Sequence, residues 1–279
     1  MQLSQRLHGS EFLDIDRLTF SRPKNNIVLH VRKFDAAHAQ YCKSIGLRVG
    51  FDVADNPVTD FLYGRVKQDD FSRYVHPSID FYIVNNDLVE EKMRAHTDKK
   101  IYVIPHHNCN FDKIHNSNKR PKTIGYIGLP EQSIDLEKMQ DVCKKLHLNF
   151  FNKDIIEHSK LSDAFSQIDI GMVFFEKEES KRELQEKILN YKPGTKLSNF
   201  QSYGIPTICL PYRSFKQFGE DRCRYVETIE SLEYEIENLI KNEDLYHELS
   251  AASILVGEKF HIDNVLQYYR KISEDMTNE

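Results

Sequence analysis

The stretch Lys192–Pro211, KPGTKLSNFQSYGIPTICLP, decides how this chain folds. Pro193-Gly194 makes a turn, Thr195 stands where a helix N-cap is wanted, and the helix that runs on from Lys196 stops at Gly204 before Pro206. Thr207 to Leu210 then reads as a buried strand. A helix of this kind offers unpaired backbone N–H groups at its start. If that start lies at the carboxyl end of a parallel sheet, those groups and the Lys196 ammonium form a site for phosphate. The same pattern also fits an ordinary βαβ crossover with a solvent-facing lysine.

Working outward, short β-branched or aromatic runs alternate with helical patterns along the whole chain, the signature of parallel sheets covered by helices. Strands are expected at Asn26–Val31, Leu47–Val53, Ile79–Val84 and Lys100–Ile104, with helices at Asp35–Ser44 and Leu88–His96. A further strand in Ser10–Phe20, preceded by a short helix at Leu3–Leu7, is expected upstream. The polar stretch Asn110–Lys122 reads as a linker. A second series follows: strand Thr123–Ile127, helix Ser133–Leu146 with Ser133 as its cap, strand Asn149–Phe151, helix Leu161–Gln167 and strand Asp169–Phe175. Ile262, Val265, Leu266, Tyr269 and Ile272 give the last helix an apolar stripe. The charged run Glu176–Lys187 is expected to be solvated. The fold class is α/β with two domains, 1–112 and 113–279.

Composition narrows the function. Over 279 residues, 38 basic against 43 acidic side chains leave a charge of -5, which argues against a protein that grips a nucleic-acid backbone along a basic face. No apolar run approaches the ~20 residues of a membrane-spanning helix, and the N-terminus opens no signal-peptide core, so a cytoplasmic protein is expected. The five cysteines form no C-x-x-C pair and read as reduced thiols. No G-x-x-x-x-G-K is present, and Gly125-Tyr126-Ile127-Gly128 alone is a weak dinucleotide fingerprint, which sets an oxidoreductase aside. His106-His107-Asn108-Cys109 has no second ligand cluster to make it a metal site, and adjacent residues on an extended segment face opposite ways. A hinge histidine lining a cleft is the preferred reading of His106 and His107.

Lys196-Leu197-Ser198-Asn199-Phe200-Gln201-Ser202-Tyr203-Gly204-Ile205-Pro206-Thr207-Ile208 resembles the donor-binding segment of the GT-B glycosyltransferase superfamily. Ile124-Gly125-Tyr126-Ile127-Gly128 resembles the first strand and glycine loop of that family's C-terminal domain, and Ile168-Asp169-Ile170-Gly171-Met172 its aspartate-then-strand element. His30-Val31-Arg32, Gly50-Phe51-Asp52-Val53-Ala54-Asp55 and Val103-Ile104-Pro105-His106-His107 resemble strand ends of its acceptor domain and the exit to the linker. The resemblance spans roughly residues 26 to 270. It implies two Rossmann-like domains facing across a cleft, with a nucleotide-sugar donor on the second and a saccharide or lipid-linked saccharide acceptor on the first. It implies no cofactor and no bound metal, the nucleotide-sugar being a substrate, and retention of anomeric configuration. A place in polysaccharide biosynthesis, peripheral at the inner membrane surface, fits that chemistry.

The leaving group would be a nucleoside diphosphate, so developing negative charge must meet cations or N–H donors. Gly128, the Gly194 and Thr195 amides, Lys196 and Arg213 are the candidates, with Asn199 at the ribose. Family members usually carry glutamate where this chain has Asn199, and an amide holds a hydroxyl without charge assistance. Asp52 and Asp55, with Arg32 beside them, are candidate catalytic residues as base or acceptor anchor; turn formation by Asp55-Asn56-Pro57 is the competing reading. Only about 25 residues precede Asn26, so a trimmed first domain is expected, or one completed by a partner chain or a second copy. A non-catalytic scaffold or partner subunit of a larger glycosyltransferase is therefore the alternative to a metal-independent transferase.

Overall fold

The computed structural model describes residues 26–54, 56–62, 70–116, 120–128, 136–154, 157, 160–174, 189–219 and 222–278. The expected N-terminal strand and helix, the Ser133 cap, Asp55 and the run Glu176–Lys187 lie outside the described residues. The chain forms two compact units, one of residues 1–105 with 262–279 and the other of residues 106–261. No described helix is long and apolar enough to cross a membrane.

The first unit holds a parallel sheet of β1 (Ile27–Val31), β2 (Arg48–Ala54), β3 (Phe81–Val84) and β4 (Lys100–Val103), in spatial order β1-β2-β3-β4. Helices α1 (Ala36–Ser44), α2 (Asn56–Leu62) and α3 (Asp87–Arg94) connect them. Alternation along the strands gives each sheet face its own core. Val28 and Val49 pack with Ala39 and Cys42 of α1. On the opposite face, Ile27, Leu29, Phe81 and Ile83 meet Val265, Tyr269, Ile272 and Met276 of the final helix, α10 (Ile262–Asn278). Lys100 and Tyr102 both reach Asp275, at 2.9 and 3.0 Å, and fasten that helix to β4. The expected domain 113–279 therefore gives up its last helix to the first unit. The apolar stripe announces burial, but nothing in its spacing says which sheet it covers.

The second unit is built on β5 (Thr123–Ile127), β6 (Asn149–Lys153), β7 (Ile170–Val173), β8 (Thr207–Cys209) and β9 (Arg224–Tyr225), all parallel and ordered β6-β5-β7-β8-β9. Its helices are α4 (Leu136–Lys145), α5 (Leu161–Phe165), α6 (Thr195–Ser202), α7 (Arg213–Gly219), α8 (Ile229–Lys241) and α9 (Glu243–Lys259). The chain runs outward from β5 to β6 and then crosses back to β7. Strand order thus reverses between β5 and β7, and the carboxyl ends at such a switch point are where open α/β sheets take ligands. Asp169 fixes this pair from the other end: its carboxylate, immediately before β7, accepts the Lys122 and Thr123 N–H groups at the start of β5 at 2.8 and 2.9 Å.

The expected linker Asn110–Lys122 is not a free connection over its described part. The division between units falls at Pro105/His106, and the segment beyond it is pinned to the second unit by asparagines. Asn108 Nδ2 donates to the Gly257 carbonyl near the end of α9, and Asn110 Nδ2 to the Ser202 carbonyl that ends α6, both at 2.7 Å. Asn116 Nδ2 donates to the Phe165 carbonyl that ends α5 at 3.0 Å. Helix ends leave their last carbonyls without intrahelical donors, and each asparagine satisfies one. Asn108 and Asn110 are buried, which a polar composition did not suggest.

One buried group makes stability depend on pH. His30 on β1 lies among Phe34 and His38, accepts the Asp35 N–H at Nδ1 and approaches His38 Nδ1 at 3.3 Å through Nε2. Burial, and then His38, hold its pKa down at about 4 against the opposing pull of Asp35. The unfolded chain binds this proton below ~6.5 while the folded chain does not, so stability present above that pH is lost as pH falls toward 4. The expected loss is on the order of 3 kcal/mol. Urea melts between pH 6.5 and 4 should show a shallower decline for His30→Gln than for wild type; equal slopes would remove this assignment.

Candidate functional site

Helix α6 carries the deciding segment, and both of its ends are explained locally. At its end, Ile205 N–H donates to the Phe200 carbonyl at 3.1 Å and Gly204 N–H to that of Gln201 at 2.9 Å, with Gly204 at φ 73°: a Schellman termination followed by Pro206. Its start differs from expectation. Gly194 is the cap and Thr195 the first helical residue. The Thr195 hydroxyl, instead of capping, lies 3.1 Å from His106 Nδ1. Leu197 and Phe200 are fully buried, and Phe165 stacks on Tyr203 at 4.6 Å and meets Phe200 edge-on at 5.3 Å. That packing fixes the roll of the helix and leaves Lys196 and Asn199 half-buried.

Lys196 reaches back to the end of β5. Its Nζ donates to Tyr126 Oη at 2.7 Å and stands 4.5 Å from the ring centroid. Gly128 follows β5 at φ 142°, and a side chain there would run into the Lys196 head. The lysine end is therefore seated against backbone, at the place where the strand order reverses. Burial, and then the charge of Lys192, bring its pKa down to about 7. The charge of a negative ligand would oppose both influences.

The remaining candidates fall into place around this centre with different fates. Arg213 is the first residue of α7, just after β8 on the same sheet edge; it is exposed, and its N–H donates to Asn190 Oδ1 at 2.9 Å. Asn199 lies one turn into α6, and its Oδ1 accepts the Cys109 N–H at 2.9 Å. That oxygen has a structural duty, and Nδ2 is the atom left for a ligand. His107 Nδ1 lies 2.9 Å from the Asn108 carbonyl and its ring sits against Phe111, while His106 reaches Thr195 of α6. Tyr126 was legible as a strand residue, but nothing in a strand pattern says that it will hold a lysine from a distant helix. Among the described residues no three His, Cys, Asp or Glu side chains converge as a metal site.

In the first unit, Asp52 lies two residues before the end of β2, opposite Val31 of β1 and Ile83 of β3. Its Oδ1 accepts the Ala54 N–H at 2.9 Å across a register irregularity, and Ala54 sits at φ 50°. Arg32 is also left-handed, at φ 64°, and its N–H donates to the Asp52 carbonyl at 3.0 Å, while its side chain is on the exposed side. Asn56 and Asn85 hold the Arg32 and Ala54 carbonyls, each at 2.6 Å. Two non-glycine residues in this region mark backbone that its surroundings over-determine. Asp52 also raises the pKa of the Tyr269 phenol on α10, after the larger effect of burial.

Sequence comparison finds no matching family profile and no matching curated protein. Structure comparison is different. The chain is similar to the pneumococcal O-GlcNAc transferase GtfA, solved with UDP and GlcNAc, at a TM-score of 0.56 and 14% identity, over 91% of this chain and 57% of that one. It is similar to HepE from Anabaena, solved with UDP and glucose, at 0.56 and 10% identity, over 88% and 74%. Sucrose-phosphate synthase from Thermosynechococcus elongatus matches at 0.56 and 9% identity, over 92% and 75%. The fold is that of the GT-B glycosyltransferases. The chain spans a little over half the length of the GtfA chain it matches.

Proposed function

We propose that this chain is a glycosyltransferase that moves a sugar from a nucleoside-diphosphate donor to a saccharide or lipid-linked saccharide. The observation that carries the reading is Lys196 Nζ seated at Tyr126 and Gly128, beside the first residues of α6, at the carboxyl ends of β5 and β7. A diphosphate there would meet a cation and the N–H groups of a helix start. As the glycosidic bond breaks, charge gathers on the leaving diphosphate, and these donors gain most at that moment. No metal is needed for that task, and transfer is expected to survive EDTA. The solved structures of similar fold that carry UDP support UDP as the first probe. A thermal-shift and calorimetry panel of UDP, GDP, CMP and their sugars tests the reading, since a ligand that binds the folded state raises its melting temperature. No shift with any of them would refute it.

In the first unit, we assign Asp52 to the acceptor, as base or hydroxyl anchor. Asp52→Asn keeps an acceptor oxygen for Ala54 N–H, so the melting temperature should hold while transfer falls at least ~10-fold, the cautious end of general-base effects. A lower melting temperature with full specific activity would make Asp52 a turn-former. One observation favours a non-catalytic partner subunit as the second reading: Asp52 and Asn199 each commit a side-chain oxygen to backbone. Donor binding without turnover in wild type would support that reading.

A further inference from the structure

We propose that Asn85 is a positioning residue for Asp52: it clamps Ala54, the last residue of β2, in a left-handed conformation, and that clamp aims the Asp52 carboxylate. The inference rests on the reading of Asp52 as acceptor base or anchor and deepens it. The register of β2 with β3 shifts between Asp52 and Ala54, and there Ala54 turns to φ 50°, a conformation that an L-residue with a Cβ avoids. Two bonds hold it. On its amino side the Ala54 N–H donates to Asp52 Oδ1 at 2.9 Å, and on its carbonyl side Asn85 Nδ2 donates to the Ala54 oxygen at 2.6 Å. Relaxation of Ala54 to negative φ would rotate the Val53–Ala54 peptide and carry its N–H away from the Asp52 carboxylate.

Asn85 directly follows β3 and is only 1% exposed. Its orientation follows from the chemistry at both ends of a short relay. The Val89 N–H of α3 can only donate, so the Asn86 oxygen that it meets at 3.0 Å is the acceptor and Asn86 Nδ2 is the donor. That Nδ2 lies 2.7 Å from Asn85 Oδ1, which leaves Asn85 Nδ2 facing the Ala54 carbonyl, a group that can only accept. Neither amide can flip without setting donor against donor or acceptor against acceptor. Capping α3 requires Asn86 alone. The Asn85 donor goes instead to the strained residue beside Asp52, and backbone held in this way clusters at functional sites.

Steady-state kinetics of the full chain test this, read as UDP release from UDP-glucose and UDP-N-acetylglucosamine over a panel of mono- and oligosaccharides. Asn85→Ala should lower kcat of the folded protein about tenfold, because misplacing a reacting group is costly, while KM for the nucleotide-sugar holds. Ala54→Gly in that background should restore kcat to within about threefold of wild type, since glycine takes positive φ without strain. Asn85→Ala added to Asp52→Asn should cost less than about twofold more, since residues that act as a unit are not additive. A merely structural asparagine would lower Tm and leave kcat of the folded fraction unchanged. Should Asn85→Ala fail to fold, Asn85→Asp keeps the shape and removes the donor, with the same expectations. Wild-type kcat in the Asn85 variant, or a loss that multiplies with that of Asp52→Asn, overturns the inference and leaves the Asp52 reading standing. Full activity in Asp52→Asn, or no turnover in wild type, overturns both.

Discussion

Lys196→Ala should weaken UDP binding by about 1.5–3 kcal/mol, the range for a hydrogen bond to a charged group. It should also lower transfer by about 10²- to 10³-fold, as when one donor aimed at developing charge is removed. The two effects differ because a ground-state diphosphate is still held by the amides at the start of α6, whereas the leaving group gathers its charge at the Lys196 position. Folding should change little, since the lysine head is held by a hydrogen bond to Tyr126 at the end of β5. Lys196→Arg is not a conservative rescue, because a planar fork presents its donors in a different geometry from a single ammonium. Wild-type affinity and turnover in Lys196→Ala would remove the lysine from the site.

Gly257→Val should have the largest effect on stability. Gly257 lies near the end of α9, and a methyl there would stand 2.6 Å from Ser202 N and 2.8 Å from the Gln201 carbonyl carbon. Those atoms are α6 backbone, which cannot rotate away as a flexible side chain could. Overpacking of this kind costs about 1–3 kcal/mol and more when backbone must move, so a loss of about 3 kcal/mol is expected, or roughly 6–12 °C in Tm. Because α6 carries Thr195, Lys196 and Asn199, the shift should weaken UDP binding as well. Leu255→Ala on the exposed side of the same helix is the control, with an expected effect within ~0.5 kcal/mol. Equal melting temperatures for Gly257→Val and wild type would contradict the close approach of α9 to α6.

Much of this architecture was legible because single residues carried local physics. Pro193-Gly194 and Gly204-Ile205-Pro206 bracket α6, and the apolar runs at Ile27–Val31, Phe81–Val84 and Ile170–Val173 had only strands to become. Other features needed partners distant in sequence. Asn108, Asn110 and Asn116 read as linker because the same amides that favour exposed turns also finish buried helix ends. The α9 pattern of Tyr246, Leu249, Ala252, Ser253, Val256 and Gly257 is a weak stripe, since close packing on α6 requires small residues rather than large apolar ones. Gly128 and Lys196 could each be picked from the chain as phosphate candidates, but their meeting at Tyr126 could not. In the first unit, the Asp52 motif was visible while its bond to Ala54 and the left-handed Arg32 were not.

The central claim is that a nucleoside diphosphate lies at the start of α6, and a crystal structure of the chain with UDP tests it most directly. The account predicts diphosphate oxygens within hydrogen-bond reach of Lys196 Nζ and of the Thr195 and Lys196 amides, with the ribose turned toward Asn199. UDP bound elsewhere on the chain, with Lys196 still closed on Tyr126, would contradict it.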